Sequence, residues 1–467
     1  MSSFVGLNTA LSGLMAQRRA MEVAAQNIAN QNTEGYTRQR TDLSSVGGNV
    51  VPAIHSTWQG AGAGVTVTGQ TRMRDAFLEG RSHVESGVQA QLEGADAVLA
   101  SVEQAFGEPG TTGLQSQLAK MWAAFGQVAD QPESLAVRAT SLQEAKGSVD
   151  VLHDMDRALT AASGAYSSKI DDLAAEVNST SASVAEYNGA IKAASMAGLP
   201  ANELMDKRDV LVSRLATLVG ATAKPAANGV VNVFVGADAL VAGRTASVIE
   251  VTRDASGITG LNFDTTAPVD LTSGTARGLI DGVRSGGVID GYRSQLDAVA
   301  NQLAADVNLV QTAGYDLVDP PAAAGNLFAS NDGGPVRAGS IVLAITDPRG
   351  VAASSIPPAG LVLNYDGANA DKLQAVGIGP SSPDASYKKL VGGLGVQAQS
   401  SARRLDVQTT TLGLINASRE AQSGVSTDEE MTQLLSYQRA YEAAARVMTT
   451  VDSALDTLIN RTGLVGR

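Results

Sequence analysis

Leu135, Arg138, Leu142, Ala145, Val149, Leu152, Asp156 and Leu159, continued in phase by Ser163, Tyr166, Ile170, Leu173, Val177, Thr180, Val184, Tyr187 and Ile191, form the stretch that decides the fold. The steps alternate between three and four residues. That spacing keeps one stripe of a helix facing a partner, as in a coiled-coil rod. Gly164 is the expected break, costing roughly 1 kcal/mol in a helix interior. One rod and two in-phase helices both fit the pattern. Pro200 ends it, and Asn202 is placed to cap a further helix through about Leu218.

The prolines carry this reading outward. The windows 1–51, 133–199, 269–319 and 384–467 contain none, and eight of the fourteen prolines crowd between Pro320 and Pro383. A proline inside a helix costs about 3 kcal/mol, so long helices belong in the free windows. In the first, Leu7, Leu11, Leu14, Arg18, Met21, Ala25 and Ile28 repeat the alternation, and Asn30, Asn32 and Gly35 read as a helix stop. In the third, Leu296, Val299, Ala300, Leu303, Val307 and Val310 predict a helix over about 288–312. In the last, Leu405, Leu412 and Ile415 mark one helix and Ser423-Gly424-Val425 interrupts it. A second helix carries Met431, Leu434, Gln438, Tyr441, Ala445, Met448, Asp452, Leu455 and Ile459. Ser426-Thr427-Asp428-Glu429 fits a capping box, so Asp428, Glu429 and Glu430 read as helix-start residues rather than an acid–base cluster. Val230–Val235, set between Asn228-Gly229 and Gly236-Ala237-Asp238, predicts a β-hairpin. Ile341–Ile345 and Leu361–Leu363 read as further strand, and Gly60–Gly64 as a flexible join.

Composition narrows the function. The chain has 467 residues, a net charge of −13, 4% aromatic residues and no cysteine. It is long enough to bury a core without staples. The acidic balance argues against nucleic acid as partner. Thiolate metal sites and thiol nucleophiles are excluded, and His55, His83 and His153 lack metal-ligand spacing. No apolar run reaches the ~18–20 residues of a membrane helix. No G-x-S-x-G, H-E-x-x-H or phosphate-loop pattern occurs, so no catalytic, metal or cofactor residue is expected. The first residues lack the charged and apolar regions of a secretory signal, so any export is expected to use no cleaved leader. Arg18, Arg19, Arg38 and Arg40 read as solvated or subunit-bridging.

Two stretches are more specific. Ala10-Leu11-Ser12-Gly13-Leu14 with Asn27-Ile28-Ala29-Asn30-Gln31-Asn32-Thr33-Glu34-Gly35-Tyr36, and the tail Ser423–Met431 with Leu434–Met448, closely resemble the terminal signatures of bacterial flagellar axial proteins, the family of rod, hook and hook-associated subunits. Asn202–Asp209 and Val299–Ala304, with Val307-Asn308 and Gly314-Tyr315-Asp316, resemble internal stretches of its hook-associated members.

The resemblance implies an α+β fold: a mostly α-helical coiled-coil rod, paired N- and C-terminal helices, and a small β-rich domain inserted in the middle. The implied domains are an inner terminal coiled coil (1–60 plus 425–467), a helical rod domain (61–219 plus 276–314 plus 384–424) and a β-rich outer domain (220–275 plus 315–383). It also implies a structural role at the junction of hook and filament, in a helical homo-oligomer of about eleven subunits whose terminal helices line a central channel. The implied partners are hook protein, the next junction protein, the cap protein during assembly, a dedicated export chaperone and the flagellar type III export apparatus. The N-terminal assembly seam is Leu7, Leu11, Leu14, Arg18, Met21 and Ile28. The family motif is Asn27, Asn30, Asn32, Thr33, Gly35 and Tyr36. The C-terminal assembly and chaperone surface is Met431, Leu434, Leu435, Tyr437, Tyr441, Met448, Leu455, Leu458 and Ile459. Arg18 fits either a subunit–subunit ion pair or contact with channel water; Tyr36 fits either inner-domain packing or a bystander after the turn. The rival readings are a coiled-coil component of a related secretion system, another rod or hook protein, and an enzyme housed in the β insertion.

Overall fold

The computed structural model of the chain describes residues 2–46, 62, 64–255, 257–263, 268–318, 323–359 and 364–460. The chain opens with α1 (Ser2–Ala29), β1 (Gln39–Val46), β2 (Gly64–Arg72), α2 (Ala76–Phe106), α3 (Leu114–Asp130), α4 (Leu135–Met196) and α5 (Asn202–Val219). The β-rich middle comprises β3 (Thr222–Pro225), β4 (Val231–Val235), β5 (Asp238–Ala242), β6 (Thr245–Ala246), β7 (Ile249–Asp254) and β8 (Gly257–Phe263). Then come α6 (Thr275–Val283), α7 (Val288–Ala313), β9 (Phe328–Ser330), β10 (Ile341–Leu343), α8 (Ala368–Ala375), α9 (Pro383–Ser423) and α10 (Thr427–Asn460). The architecture is α+β and mainly helical.

The heptad stretch is one helix of 62 residues. Gly164 lies inside it without a break, at an exposed position with open space around it. Its cost is met by the heptad face on either side: Leu142, Ala145, Val149, Leu152, Leu159, Ile170, Leu173, Val177, Val184 and Ile191 are all buried. Arg138, in the same phase, is wholly buried and donates to the carbonyls of Pro132 and Val351. Burial pushes its pKa down to about 10, still charged at neutral pH. Asn202 does not cap α5. It is the first helical residue, and its amide donates to Gln39 Oε1 (3.0 Å) and the Gln70 carbonyl (3.1 Å).

The chain divides into two compact units, with boundaries inside α2, α4 and α9. The first unit comprises 1–86, 178–247 and 410–467; the second comprises 87–177 and 248–409.

The second unit holds the larger side chains. Leu114, Leu118, Met121, Phe125 and Val128 of α3, with Phe106, Leu152, Leu159, Leu303, Leu373 and Tyr387, are essentially inaccessible to solvent. Phe106 meets Tyr292 edge-on and stacks on Tyr387, both at 6.3 Å between ring centres. Gly278 lets α6 press on α2, because a Cβ there would fall 2.3 Å from the Gln91 carbonyl oxygen. Asn308 of α7 donates to the Phe328 carbonyl (2.8 Å) and accepts from the Leu327 and Phe328 amides, fixing the approach to β9. β7 pairs with β8 and β9 with β10, each antiparallel.

The first unit holds the antiparallel sheet β3-β4-β5-β6. The hairpin read at 230–238 is β4–β5, turning at Gly236, whose φ is 59°. Asn188 of α4, fully buried, fastens this sheet by donating to the carbonyls of Val231 (2.7 Å) and Gly243 (2.8 Å). The strand-like segments at 220–263 and 328–343 thus form separate sheets. Leu361–Leu363, His55 and most of Gly60–Gly64 lie outside the described residues.

Candidate assembly site where the chain ends meet

α1 and α10 pack side by side and antiparallel. A Cβ at Gly6 would sit 3.8 Å from Val451, while 21 residues along each helix Asn27 bonds to Glu430. On α10 the partly buried residues are Leu434, Tyr437, Ala440, Tyr441, Ala444, Ala445, Met448, Val451 and Leu455, a heptad stripe widened by Ala440 and Ala445. This shifts the sequence-read phase: Gln438 and Asp452 are exposed, and Tyr437 and Val451 face inward instead. On α1 the buried positions are small, namely Ala10, Ala16, Ala20, Val23 and Ala24, with Asn27. The bulkier seam residues Leu7, Leu14, Met21 and Ile28 are only partly covered. Leu11 and Arg18 are exposed, and Arg18 pairs with Glu22 on its own helix. Met431, Leu435, Leu458 and Ile459 are 47–72% exposed.

Past α1, the motif residues make a corner. Thr33 NH donates to the Asn30 carbonyl and Tyr36 NH to the Thr33 carbonyl, two successive turns. Asn30 donates to the Gln26 carbonyl, and Thr33 Oγ1 donates to Asn30 Oδ1. Asn32 is exposed. Gly35 has a φ of 77°, and a Cβ there would fall 2.2 Å from Val210 Cγ2. Only glycine fits the corner.

The corner closes a polar lock between the two ends. Asn27, 1% exposed, accepts from Tyr36 OH (2.7 Å) and the Gln39 amide (3.0 Å) at Oδ1. Its Nδ2 donates to the Gln39 carbonyl (2.9 Å) and to Glu430 Oε2 (3.0 Å). Glu430, also 1% exposed, accepts from Arg38 Nε at 2.7 Å, and Arg38 Nη1 reaches Glu429 at 2.9 Å. Tyr36 is held up at about 12 by burial, reinforced by Asp206, Glu430 and Glu203, so its hydroxyl keeps its proton. Arg38 is therefore neither solvated nor subunit-bridging, and the Glu429 and Glu430 carboxylates are committed to it. Sequence reading missed the Arg38–Glu430 pair. Its signal was Arg38 and Arg40 just after one terminal motif and the acidic triplet Asp428, Glu429 and Glu430 opening the helix of the other.

The hairpin β1–β2 lies on α1, with Gln39 opposite Arg72. Gly64 brings β2 against the helix, where Ser12 Oγ accepts from the Val65 amide at 3.2 Å. Beyond it is a second buried network. Asp209 is gripped by Arg72 (2.8 Å), Arg74 and Arg208 (2.8 Å). Asp206 takes Arg72 (2.8 Å) and the Thr37 amide, and Glu79 takes Arg74 (2.8 Å) and Arg419 (3.5 Å). Burial drives His83 down to about 4 despite nearby Glu79, so it sits neutral against Ser213 Oγ at 3.2 Å. Among the described residues no group of three or more His, Asp or Glu is arranged to hold a metal ion, and no helix is long and apolar enough to cross a membrane.

Comparison with known proteins assigns both ends and the middle. The family model for flagella basal body rod protein matches residues 7–37, that for the flagellar basal body rod FlgEFG protein C-terminal matches 418–461, and that for the flagellar hook-associated protein FlgK helical domain matches 99–328. The chain is 28% identical over 514 residues to flagellar hook-associated protein 1 of Bacillus subtilis, covering all of both. It is 25% identical over 560 residues to the protein of that name in Escherichia coli, covering 98% of this chain and 100% of the relative. The solved flagellar hook junction protein FlgK from Burkholderia pseudomallei shares the fold, with a TM-score of 0.63 and 16% identity over 74% of this chain and all of that one. Paired terminal helices joined through these two motifs define an axial protein of the bacterial flagellum. Within that class, the chain is similar along its whole length to flagellar hook-associated protein 1, and its middle matches the FlgK helical-domain model.

Proposed function

We propose that this chain is the structural subunit of the hook–filament junction, polymerising on the distal hook and templating filament growth. The observation that carries the reading is the lock: it joins the two terminal signatures, 403 residues apart in sequence, into one buried contact. In this reading α1 and α10 are an inner coiled coil finished by neighbouring copies. Leu11, Met15, Leu435, Leu458 and Ile459 are exposed in the single chain, and burial against the next subunit gives them cover. Ordering costs about 1–2 kcal/mol per residue in backbone entropy. Neighbour contacts offset that cost, which ties addition of a subunit to a correct template.

The subunits form a helical layer of about eleven, joined by heterologous contacts, between hook protein and the next junction protein, with the cap protein present during growth. The chain reaches that place from the cytoplasm through the type III apparatus, its C-terminal helix held by a chaperone over Met431–Ile459. It acts without catalysis. Electron microscopy of a strain lacking the gene, with an assay for flagellin in the medium, tests the reading. Hooks without filaments and shed flagellin are expected; normal filaments would refute it.

A further inference from the structure

The seam between α1 and α10 is poorly equipped to choose its own register. One side is a heptad stripe from Leu434 to Leu455, and a slide by seven residues leaves that stripe facing α1. The buried apolar residues of α1 are small, Ala10, Ala16, Ala20, Val23 and Ala24, and its bulkier Leu7, Leu14, Met21 and Ile28 recur every seven residues, so a slide of one heptad leaves them in the same phase. The lock is the exception. Sliding α10 by one heptad brings Tyr437, or in the other direction the position of Ser423 at the end of α9, opposite Asn27 and Arg38, and neither supplies a carboxylate. Arg38, whose side chain is only 16% exposed, would then lose its counter-charge and Asn27 one of its two acceptors, keeping only the Gln39 carbonyl. A single buried polar contact can specify coiled-coil register in this way.

We propose that the Asn27–Arg38–Glu430 cluster is a register pin, a set of positioning residues that fixes which turn of the C-terminal helix meets which turn of the N-terminal helix. Gly35 and Tyr36 hold the corner that presents Arg38. The inference concerns the pair within one chain and stands independently of the flagellar role.

The absence of cysteine makes the test direct. Full-length chains carry Gly6→Cys with one of Val451→Cys, Ala444→Cys or Leu458→Cys, and are oxidised under identical conditions. The first pair reports the observed register, where the Gly6 Cβ position lies 3.8 Å from Val451, and the others report slides of one heptad either way. In the otherwise unaltered chain the first pair should cross-link about ten times faster than the others. Glu430→Ala or Asn27→Ala should bring the three rates within about threefold, with helix content by circular dichroism unchanged. Glu430→Gln, which keeps an acceptor, should fall between. A retained tenfold preference in both alanine variants would overturn the proposal. So would loss of all three cross-links, which would make the cluster a condition of pairing rather than of register, or a lack of preference in the unaltered chain.

Discussion

The core around α3 and the seam between α1 and α10 are built from opposite materials. In the first, Leu114, Leu118, Met121 and Phe125 are wholly inaccessible. In the second, the buried residues of α1 are four alanines, Val23 and Asn27, while Leu7 and Leu14 lie half open and Leu11 is exposed, and the outer side chains of α10 are exposed. A side chain stabilises a fold by the apolar area it removes from water, about 25 cal/mol per Å². The α3 core takes that gain within one chain. The terminal pair leaves much of it ungained, and what holds the pair in place is polar.

The largest expected effect tests the core side of this contrast. Phe125→Ala should cost about 4 kcal/mol in urea unfolding, since a rigid core relaxes poorly around the void. A cost below about 1 kcal/mol would mean that α3 is no better packed than the ends.

The next tests whether polar contacts in the first unit hold structure. Asp209→Ala leaves Arg72, Arg74 and Arg208 facing one another with their shared carboxylate gone. Breaking a buried pair from one side typically costs 3–5 kcal/mol, so a loss of about 3 kcal/mol is expected by the same assay.

A smaller effect appears with pH. His83 has its folded pKa lowered to about 4 from 6.5. Between those values the unfolded chain takes up a proton that the folded chain refuses. Stability is therefore level above about 6.5 and falls by about 2 kcal/mol between about pH 6.5 and 5, continuing to fall towards 4. Glu79, whose carboxyl burial would raise but Arg74 and Arg419 hold down, adds to the loss on acidification. His83→Gln should flatten the slope of stability against pH in that interval; an unchanged slope would assign it to the carboxylates alone.

Much of the helical frame is readable from residues alone, for a plain reason. Proline bars helices from some windows, and heptad spacing marks a buried stripe in others. The two ends of α4, Leu135 and the stop before Pro200, follow from these two rules; its continuity through Gly164 does not, because the buried face on either side decides it. α3 was legible and was passed over: Leu114, Leu118, Met121, Phe125 and Val128 alternate by four and three in a short window between Pro109 and Pro132, whereas α2 escaped because much of its buried stripe, His83, Gly87, Ala90 and Gly94, is small or polar. The hairpin β1–β2 escaped because its strands are mostly polar and far apart in sequence, and rest on α1 through a hydroxyl and a glycine rather than an apolar face. At the candidate site, Asn27, Gly35 and Tyr36 stood out through their motif. Arg38 and Glu430 did not, because pairing across 392 residues leaves no local pattern. Asn202 was misjudged for a related cause: its amide serves the hairpin, not its own helix.

The measurement that bears most directly on the central claim pairs assembly with stability in the same variants. Leu14→Asp and Leu434→Asp each place a charge on the half-open seam. The account predicts that neither enters flagella, judged by immunolabelling of isolated hook–filament structures, while urea unfolding of the purified chain changes by less than about 1 kcal/mol. Normal incorporation, or a loss of stability as large as that of Phe125→Ala, would contradict it.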